Sequence, residues 1–568
     1  MSHWRHYFFV VSFFTIACGL SFRVAYLGVT ERDFLQEEGD KRSIYEKHLP
    51  AMRGMIYDRN NEALAVSTPV FAVAVNPRQF DSQDLSKLIQ LAALLDMDVD
   101  ALQRSLQDNS QRGYLYLKRH LSWEQMDSIR SLRLAHLFLE PEYRRYYPGG
   151  ESTAHVVGLT DIDDFGLEGI ELAFEERLRG EPGLKTVLRD REGRAIDDLD
   201  YGVPSQFGED LHLSIDSRLQ YIAYRELKSA VQGHSAKSGS LIMVDVTTGE
   251  ILALVNQPSF NPNGPINRRL PTRNRVVTDF YDPGSTVKPF TAMAALESGR
   301  YQPETLIETS PGYFWVDSKM IQDPINLNTI TLAQAIAKSS QVAIAKVALD
   351  LPKDAVFDVL QRSGIGDYVG TGLPGEVLGL FSNVGAQSRV SRAAMAYGYG
   401  FTVTPLQLAA AYVTLAGHGV RLPLSILRQD RPPSTERVFD KNTAQAVIAM
   451  MERVTQQGGT ATYAGLEDYR VAGKTGTARV LEDGGYSDER HVAWFAGLVP
   501  ASDPRIVMIV LVNEPETGRA SGGMVAAPVF ARVAEHSLRL LGVPPDNVPD
   551  DEVKQDPPFQ VLAQSAPR

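Results

Sequence analysis

The chain has 568 residues, which is too long for one compact domain and fits two or three. Hydrophobic residues make up 43% of the sequence and charged residues 22%, as in ordinary globular proteins. A net charge of -12, without any basic block, argues against a nucleic-acid-binding protein. The single cysteine, Cys18, excludes a disulfide framework and a cysteine zinc site. The histidines show no metal-ligand spacing, so we expect no metal and no other cofactor.

The N-terminus carries a long apolar stretch. From residue 7 to residue 29 the only charged side chain is Arg23, and this stretch as a helix would extend about 34 Å, enough to cross a bilayer. The alternatives are a cleaved signal peptide and a lipoprotein signal ending at Cys18, but the sequence after Cys18 stays mostly apolar and lacks an Ala-x-Ala site. We therefore predict an uncleaved anchor at 7–29, with a cytoplasmic tail at 1–6 and the remainder outside.

Two folded regions are expected after the anchor. Residues 30–210 indicate an irregular α+β region without chemistry of its own, and the pattern changes near Leu211. From 211 to 542 the sequence predicts a helix at 219–231, a hairpin at 240–256 and three further strands at 469–480, 494–500 and 505–512. Further helices are predicted at about 331–351, 405–415 and 442–454. The fold class is therefore α+β, a mostly antiparallel sheet covered by helices, and residues 543–568 are a predicted disordered tail.

The stretch Pro-Gly-Ser-Thr-Val-Lys-Pro at 283–289 carries the first chemical signal. Proline is tolerated only in the first turn of a helix, so Pro289 places a helix start close to Ser285. Ser285 and Lys288 then lie one turn apart on the same face, with the hydroxyl at the positive end of the helix dipole. This arrangement pairs a nucleophile with a neighbouring base.

A lysine base must be neutral, although the usual lysine pKa is about 10.4. A second cation about 5 Å away would offset roughly 3 kcal/mol of the cost of deprotonation at an effective dielectric of about 20. We therefore predict that Lys474, in the stretch Ala-Gly-Lys-Thr-Gly-Thr-Ala, lies beside Lys288 and lowers its pKa.

Each motif alone also has an ordinary structural explanation. Ser-x-x-Lys occurs on the order of once by chance in a chain this long, as a capping serine and a solvated lysine. Lys-Thr-Gly also occurs in exposed strands, and a nucleotide-binding P-loop is excluded because Asp468 stands where that motif needs glycine. Ser-x-x-Lys together with Lys-Thr-Gly, however, is the known pairing of penicillin-binding proteins and β-lactamases.

The wider sequence resembles the class B penicillin-binding proteins, and in particular the division-specific type called penicillin-binding protein 3. The resemblance covers nearly the whole chain in the family's order. It rests on Ser285–Lys288 and Lys474–Thr477, and on further boxes at 53–60, 145–148, 166–171, 373–376, 402–409 and 522–530. It implies a penicillin-binding transpeptidase fold at 211–542, an N-terminal pedestal of the dimerisation type at 30–210 and a single transmembrane helix.

The resemblance also implies the reaction, a D,D-transpeptidation of septal peptidoglycan. Ser285 would attack the penultimate D-Ala of a stem peptide with Lys288 as base, and the acyl group would pass to a diaminopimelate-type amine. Backbone N–H groups of Ser285 and Thr477 would form the oxyanion hole. Lys474, Thr475, Gly476 and Thr477 would bind the substrate carboxylate, and β-lactams would acylate Ser285.

One motif departs from the family pattern. The third family motif is Ser-x-Asn, and the matching stretch here reads Ser339-Ser340-Gln341. Residues two apart do not share a helix face, so the helix must break for Ser339 and Gln341 both to reach the cleft. The resemblance gives Ser339 the role of proton shuttle. Gln341 would bind a substrate amide on an arm one methylene longer.

Other functions stay open at this point. A D,D-carboxypeptidase or β-lactamase would use the same serine with water as acceptor, and a non-catalytic or conditional paralogue would serve as a β-lactam-binding scaffold of the division machinery. The resemblance implies attachment to the bacterial inner membrane with the catalytic domain in the periplasm. It also implies a SEDS-family glycosyltransferase and other division proteins as partners.

Overall fold

The computed structural model describes residues 3–80, 84–189, 195–265, 269, 271–383, 388–482, 485–516 and 521–547. Its helices are α1 (His3–Val29), α2 (Arg32–Ser43), α3 (Leu85–Leu94), α4 (Val99–Asp108), α5 (Trp123–Ser131), α6 (Ala154–Val157), α7 (Gly169–Ala173), α8 (Glu175–Leu178), α9 (Ser217–Gly233), α10 (Arg275–Thr278), α11 (Lys288–Glu297), α12 (Leu332–Ala337), α13 (Gln341–Asp350), α14 (Ala355–Arg362), α15 (Arg389–Ala396), α16 (Pro405–Ala416), α17 (Lys441–Glu452), α18 (Gly522–Val525) and α19 (Ala527–Leu540).

The strands are β1 (Ile44–Leu49), β2 (Ile56–Tyr57), β3 (Ala63–Val75), β4 (Leu115–Leu121), β5 (Leu137–Tyr146), β6 (Leu159–Thr160), β7 (Gly166–Glu168), β8 (Gly183–Arg189), β9 (Ala195–Val203), β10 (Leu211–His212), β11 (Ser238–Asp245), β12 (Ile251–Gln257), β13 (Leu306–Glu308), β14 (Tyr313–Val316), β15 (Lys319–Gln322), β16 (Thr329–Thr331), β17 (Val420–Arg421), β18 (Glu436–Arg437), β19 (Ala472–Glu482), β20 (Gly485–Val499) and β21 (Ile506–Asn513). Short 3₁₀ turns lie at Gly150–Ser152, Gly284–Val287 and Thr462–Ala464.

The chain folds into two compact units whose segments alternate along the sequence. The first unit contains residues 1–54, 67–145 and 176–209, and the second contains 55–66, 146–175 and 210–568. The early box at 53–60 therefore contributes mainly to the second unit. Its Asp58 carboxylate is fully buried and accepts hydrogen bonds from the Asn60 and Glu62 amides and from the Ser217 amide and hydroxyl. A carboxylate at this position fixes the turn of the box against the start of α9.

Helix α1 corresponds to the predicted anchor. Within the described residues it is the one helix long and apolar enough to cross a membrane, and its apolar side chains, such as Phe13 and Phe22, are exposed. A run of exposed phenylalanine and valine side chains is stable where lipid, not water, surrounds them.

The first unit holds its own small core. Strands β1, β8 and β9 form an antiparallel sheet, and β4 and β5 both pair with β3. Helices α3, α4 and α5 each begin at a side-chain cap, and they bury one apolar face. The buried core residues are Val73, Val75, Leu88, Leu91, Ala92, Leu95, Leu102, Leu106, Leu121 and Ile129.

The second unit is built on a five-stranded sheet in the order β12-β11-β21-β20-β19, with every neighbouring pair antiparallel. This confirms the predicted mostly antiparallel sheet. All residues of β11, β12 and β21 are buried, which explains their nearly continuous apolar sequences. On β20 the Phe495 ring packs against Phe530 of α19, while the next ring, Trp494, faces Tyr281. Successive strand residues point to opposite faces, so Phe530 and Tyr281 pack on opposite sides of the sheet.

The helix predicted at about 331–351 is wrong in one respect, because it is two helices. Helix α12 ends at Ala337 and α13 begins at Gln341. Ser340 caps α13 by accepting a hydrogen bond from the Ala343 amide, and a serine at that position competes with helix continuation. The break is the one that the spacing of Ser339 and Gln341 requires.

The predicted disordered tail lies mostly outside the described residues, at 548–568. Of its first five residues, 543–547, three make hydrogen bonds to other parts of the second unit, namely Val543, Asp546 and Asn547. The Tyr469 hydroxyl donates to the Val543 carbonyl, and the Asp546 carboxylate accepts from the Arg470 amide and the Ser502 hydroxyl. The described chain thus includes five residues of the predicted tail.

Candidate active site

The turn that carries Ser285 is held from several sides. Gly284 has a φ of 54°, and its amide donates to the Gly398 carbonyl at 3.0 Å. The Tyr412 hydroxyl donates to the Thr286 carbonyl at 2.6 Å. Helix α11 follows with Pro289 in its first turn, as the sequence predicted. Ser285 is half-buried while its neighbours Gly284 and Thr286 are buried, so a rigid turn presents one accessible hydroxyl.

Lys288 is the first residue of α11 and is fully buried. Its Nζ donates to the carbonyl oxygen of Ser339 and, at 3.2 Å, to the Ser339 Oγ. Burying an amine is costly unless it is hydrogen-bonded, so these contacts fix its position beneath the Ser285 turn.

Ser339 has a backbone conformation that non-glycine residues seldom adopt. Its φ is 59°, in the left-handed region, and it lies in the break between α12 and α13. Such a conformation costs about 1–3 kcal/mol and persists only where the surroundings enforce it. It places the Ser339 carbonyl and hydroxyl together on the side of the two lysines.

Lys474 comes from the opposite direction, on the edge strand β19, and is also fully buried. Its Nζ donates to Ser339 Oγ at 2.9 Å and to the Thr475 carbonyl at 3.2 Å. The structure therefore brings Lys288 and Lys474 to one hydroxyl, although 186 positions separate them in the numbering. Their proximity is what the sequence argument required.

Strand β19 lies directly against the Ser285 turn because Gly476 has no side chain. A Cβ at Gly476 would stand 2.9 Å from Thr286 Cγ2 and 3.0 Å from the Pro283 carbonyl. The residues on either side differ in exposure. Thr475 is buried, with its Oγ1 2.9 Å from Thr460 Oγ1, whereas Thr477 is exposed and its Oγ1 accepts from the Gly522 amide at 3.2 Å. The exposed Thr477 thus borders the opening beside Ser285.

The pKa of both lysines is lowered, and burial is the main cause. Burial lowers the pKa of Lys288 to about 7, although the nearby Asp323 carboxylate acts in the opposite direction. The pKa of Lys474 lies well below its usual value because of burial and, secondarily, the charge of Lys288. The pKa of Lys288 is therefore lowered mainly by burial and not, as the sequence predicted, by the charge of Lys474. Loss of solvation outweighs the neighbouring charge, because neither amine is exposed to water.

Gln341 is half-buried at the first position of α13. Its backbone amide donates to Asp323 Oδ1 at 2.6 Å. No hydrogen bond within the described part of the chain uses its side-chain amide, which is therefore available to a ligand.

Sequence reasoning missed Asp323. The residue follows β15 and is buried, and its carboxylate accepts from the Ser340 hydroxyl at 2.5 Å and from two amides of α13. Nothing in the local sequence marks it, because an aspartate between Gln322 and Pro324 has the pattern of an ordinary loop. Only the folded chain brings it to the Ser339-Ser340-Gln341 turn.

Comparison with known proteins identifies the family. Residues 239–535 match the family model described as Penicillin binding protein transpeptidase domain, and residues 48–213 match the Penicillin-binding Protein dimerisation domain. The peptidoglycan D,D-transpeptidase FtsI of Escherichia coli K12 is 40% identical over 555 residues, which cover 95% of this chain and 94% of the relative. The probable peptidoglycan D,D-transpeptidase PbpC of Pseudomonas aeruginosa is 37% identical, covering 97% of this chain and 98% of the relative.

Solved structures agree with these relatives. Penicillin-binding protein 3 of Mycobacterium tuberculosis, complexed with aztreonam, aligns with a TM-score of 0.69 at 26% identity over 88% of this chain and 98% of its own. The apo transpeptidase domain of penicillin-binding protein 3 from Burkholderia pseudomallei aligns with a TM-score of 0.55 at 40% identity over 59% of this chain and 98% of its own. The likeness that the motifs indicated is thus confirmed along nearly the full length, and the chain belongs to the penicillin-binding protein family of transpeptidases.

Proposed function

We propose that this protein is a membrane-anchored, serine-type D-Ala-D-Ala transpeptidase that cross-links stem peptides of peptidoglycan during septum formation. One observation carries the proposal. Two fully buried lysines, Lys288 and Lys474, donate to the same hydroxyl, that of Ser339, beside a rigid turn that presents Ser285. A structural lysine is seldom buried without a carboxylate partner, so a pair of them is typical of a site that uses a neutral amine.

Acylation begins when Ser285 Oγ attacks the carbonyl carbon of the penultimate D-Ala. Its proton passes to Lys288, whose lowered pKa leaves much of the amine neutral near pH 7. The carbonyl oxygen becomes an oxyanion that the backbone N–H groups of Ser285 and Thr477 stabilise. Ser339 then delivers a proton to the departing D-Ala amine and takes the proton held by Lys288 in its place. The C–N bond breaks and an ester to Ser285 remains.

Deacylation repeats these steps with a different nucleophile. The amine of a neighbouring stem peptide, commonly of diaminopimelate type, attacks the ester and gives a proton through Ser339 to Lys288. Lys288 returns a proton to Ser285 Oγ as the ester C–O bond breaks. Lys474, Thr475, Gly476 and Thr477 bind the terminal carboxylate, and the Gln341 amide binds the peptide backbone. β-Lactams acylate Ser285 by the same route because their strained amide resembles D-Ala-D-Ala.

The anchor and the relatives support a cellular setting for this reaction. Helix α1 holds the protein in the inner membrane in a single pass, and the catalytic unit lies in the periplasm where stem peptides are found. A transpeptidase needs glycan strands made by another enzyme, so a SEDS-family glycosyltransferase and other division proteins are the partners that we propose. The 40% identity to FtsI of E. coli over nearly the whole chain supports this assignment.

The proposed reaction is tested by measuring how the acyl group divides between an amine acceptor and water. Full-length protein in detergent is given a thioester analogue of the stem peptide together with a D-amino acid as acceptor amine. We expect the amine-transfer product to exceed the hydrolysis product, measured by mass spectrometry. Hydrolysis as the main outcome would make the protein a carboxypeptidase or β-lactamase, and β-lactam binding without thioester turnover would make it a scaffold.

The Gln341→Asn variant tests the departure in the third motif. The shorter side chain withdraws the amide by roughly one bond length, and displacements near 1 Å can cost up to about 10²-fold in rate. We expect the rate of thioester acylation to fall about tenfold, with Gln341→Ala falling at least as far. Equal rates for the three proteins would show that the longer side chain has no function in binding.

A further inference from the structure

We propose that Asp323 is a positioning residue of the transpeptidase site, which holds the Ser339-Ser340-Gln341 turn in place and sets the charge balance at Lys288. The inference rests on the proposed function of Ser285 and Lys288. It assigns a role to a buried carboxylate that none of the sequence motifs contains.

The backbone at Asp323 is itself fixed. Strands β14 and β15 form a hairpin, with Val316 paired to Lys319 and Tyr313 to Gln322, and Asp323 follows immediately. The Asp323 amide donates to the Gly312 carbonyl at 2.9 Å, so both ends of the hairpin meet at this residue. The carboxylate therefore projects from a rigid support toward α13.

All three first amides of α13 are satisfied by two side chains. Asp323 Oδ1 accepts from the Gln341 amide at 2.6 Å and the Val342 amide at 3.3 Å, and Ser340 Oγ accepts from the Ala343 amide at 3.0 Å. The Ser340 hydroxyl in turn donates to Asp323 Oδ2 at 2.5 Å. A carboxylate at a helix N-terminus is favoured by both the free N–H groups and the helix dipole. Asp323 thus holds the helix start and its cap together.

This clamp acts on the residue immediately before it. Ser339 has a φ of 59°, which a serine keeps only under constraint, and its neighbour Ser340 is the residue that Asp323 binds. If the turn relaxed, the Ser339 carbonyl and hydroxyl would leave Lys288, and the hydroxyl would leave Lys474. Asp323 therefore acts through Ser339 and contacts no reacting atom.

The carboxylate also acts electrostatically on Lys288 and favours its ammonium form. Within the described residues, the other ionisable group beside Lys288 is Lys474 on β19, which shares the Ser339 hydroxyl with it. A protonated Lys474 would disfavour the ammonium form of Lys288. Without Asp323 the pKa of Lys288 would fall further below its usual value, and the base would stay neutral at lower pH.

The test is the pH dependence of acylation by a fluorescent penicillin, measured on full-length protein in detergent. In Asp323→Asn we expect the plateau rate constant to fall about tenfold or more, because the clamp loosens. We also expect the acid limb of the profile to move down by about one pH unit. Asp323→Glu keeps the charge, so its acid limb should stay in the wild-type position while its plateau falls.

Asp440→Asn is the matched control, because Asp440 also caps a helix by accepting from the Thr443 amide but lies on the exposed start of α17. Its rate and acid limb should equal those of the wild type.

An Asp323→Asn protein with an unmoved acid limb, whatever its plateau, would overturn the proposal. If Asp323→Asn shows no cooperative melting, the Ser340→Ala variant tests the clamp instead. This variant removes the hydrogen bond from Ser340 Oγ to Asp323 Oδ2 and keeps the Asp323 charge. A tenfold slower plateau with an unmoved limb supports the clamp, and a wild-type rate overturns it. A wild-type protein that fails to acylate would instead refute the proposed function.

Discussion

A Ser285→Ala variant is expected to lose covalent labelling by fluorescent penicillin, with the acylation rate reduced at least about 10³-fold. Ser285 is the half-buried residue of the Gly284–Val287 turn, and Lys288, which follows this turn, shares the Ser339 hydroxyl with Lys474. Removing one oxygen leaves the turn, its hydrogen bonds and its packing unchanged, so the melting temperature should stay within a few degrees of the wild type.

Ser298→Ala is the matched control for this loss. Ser298 is half-buried and lies just after α11, the helix that follows the Ser285 turn, and its hydroxyl donates to the Ala295 carbonyl. This variant loses the same atom at a distance from the site and should label as the wild type does. Persistent labelling of Ser285→Ala, located to another residue by peptide mapping, would assign the nucleophile elsewhere.

A Lys288→Met variant is expected to acylate about 10³-fold more slowly, within the range that loss of a general base costs. For the wild type, a base with a pKa of about 7 predicts that acylation falls roughly tenfold per unit as the pH drops below that value. The rate falls, and does not rise, at low pH because protonation of Lys288 removes the lone pair that accepts the Ser285 proton. Lys288→Met should lose this acid limb together with its rate.

The same variant separates catalysis from folding. An amine whose pKa is lowered in the folded state destabilises that state at any pH below its unfolded pKa of about 10.4. The free-energy cost of folding grows as the pH falls and reaches its full size below the folded pKa of about 7. Methionine fills a similar volume without that cost, so the melting temperature near neutral pH should be equal or higher. Lys338→Met, an exposed neighbour of Ser339, is the control and should retain full rate. A slow Lys288→Met protein with an unchanged acid limb would assign the base to a different group.

Much of the second unit follows from local sequence rules. The apolar runs at 240–256 and 505–512 form a buried hairpin and a central strand. Thr404 and Gln407 form the capping box of α16, with Pro405 in its first turn. The candidate catalytic residues could also be predicted from the sequence, because Ser285 and Lys288 share a helix start and Lys474 belongs to a motif that accompanies them.

What could not be read from the sequence depends on contacts between distant segments. The alternating segments of the two units, such as 55–66 in the second, arise from pairings like that of Asp58 with Ser217. Asp323 acquires its role only when the β14–β15 hairpin meets α13. The strength of burial at Lys288 is likewise a property of the packed site, and for this reason the charge of Lys474 was given too much weight.

The valence of the Ser339 hydroxyl oxygen limits the hydrogen bonds that it can make. An sp³ oxygen offers two lone pairs and one proton, and in this arrangement Lys288 and Lys474 each point a hydrogen at it. With both acceptor sites filled, the one remaining bond that this oxygen can make is as a donor to a third atom. While both lysines donate to it, the Ser339 hydrogen is directed outward, to the departing amine of the proposed reaction, and a proton from the lysine side takes its place.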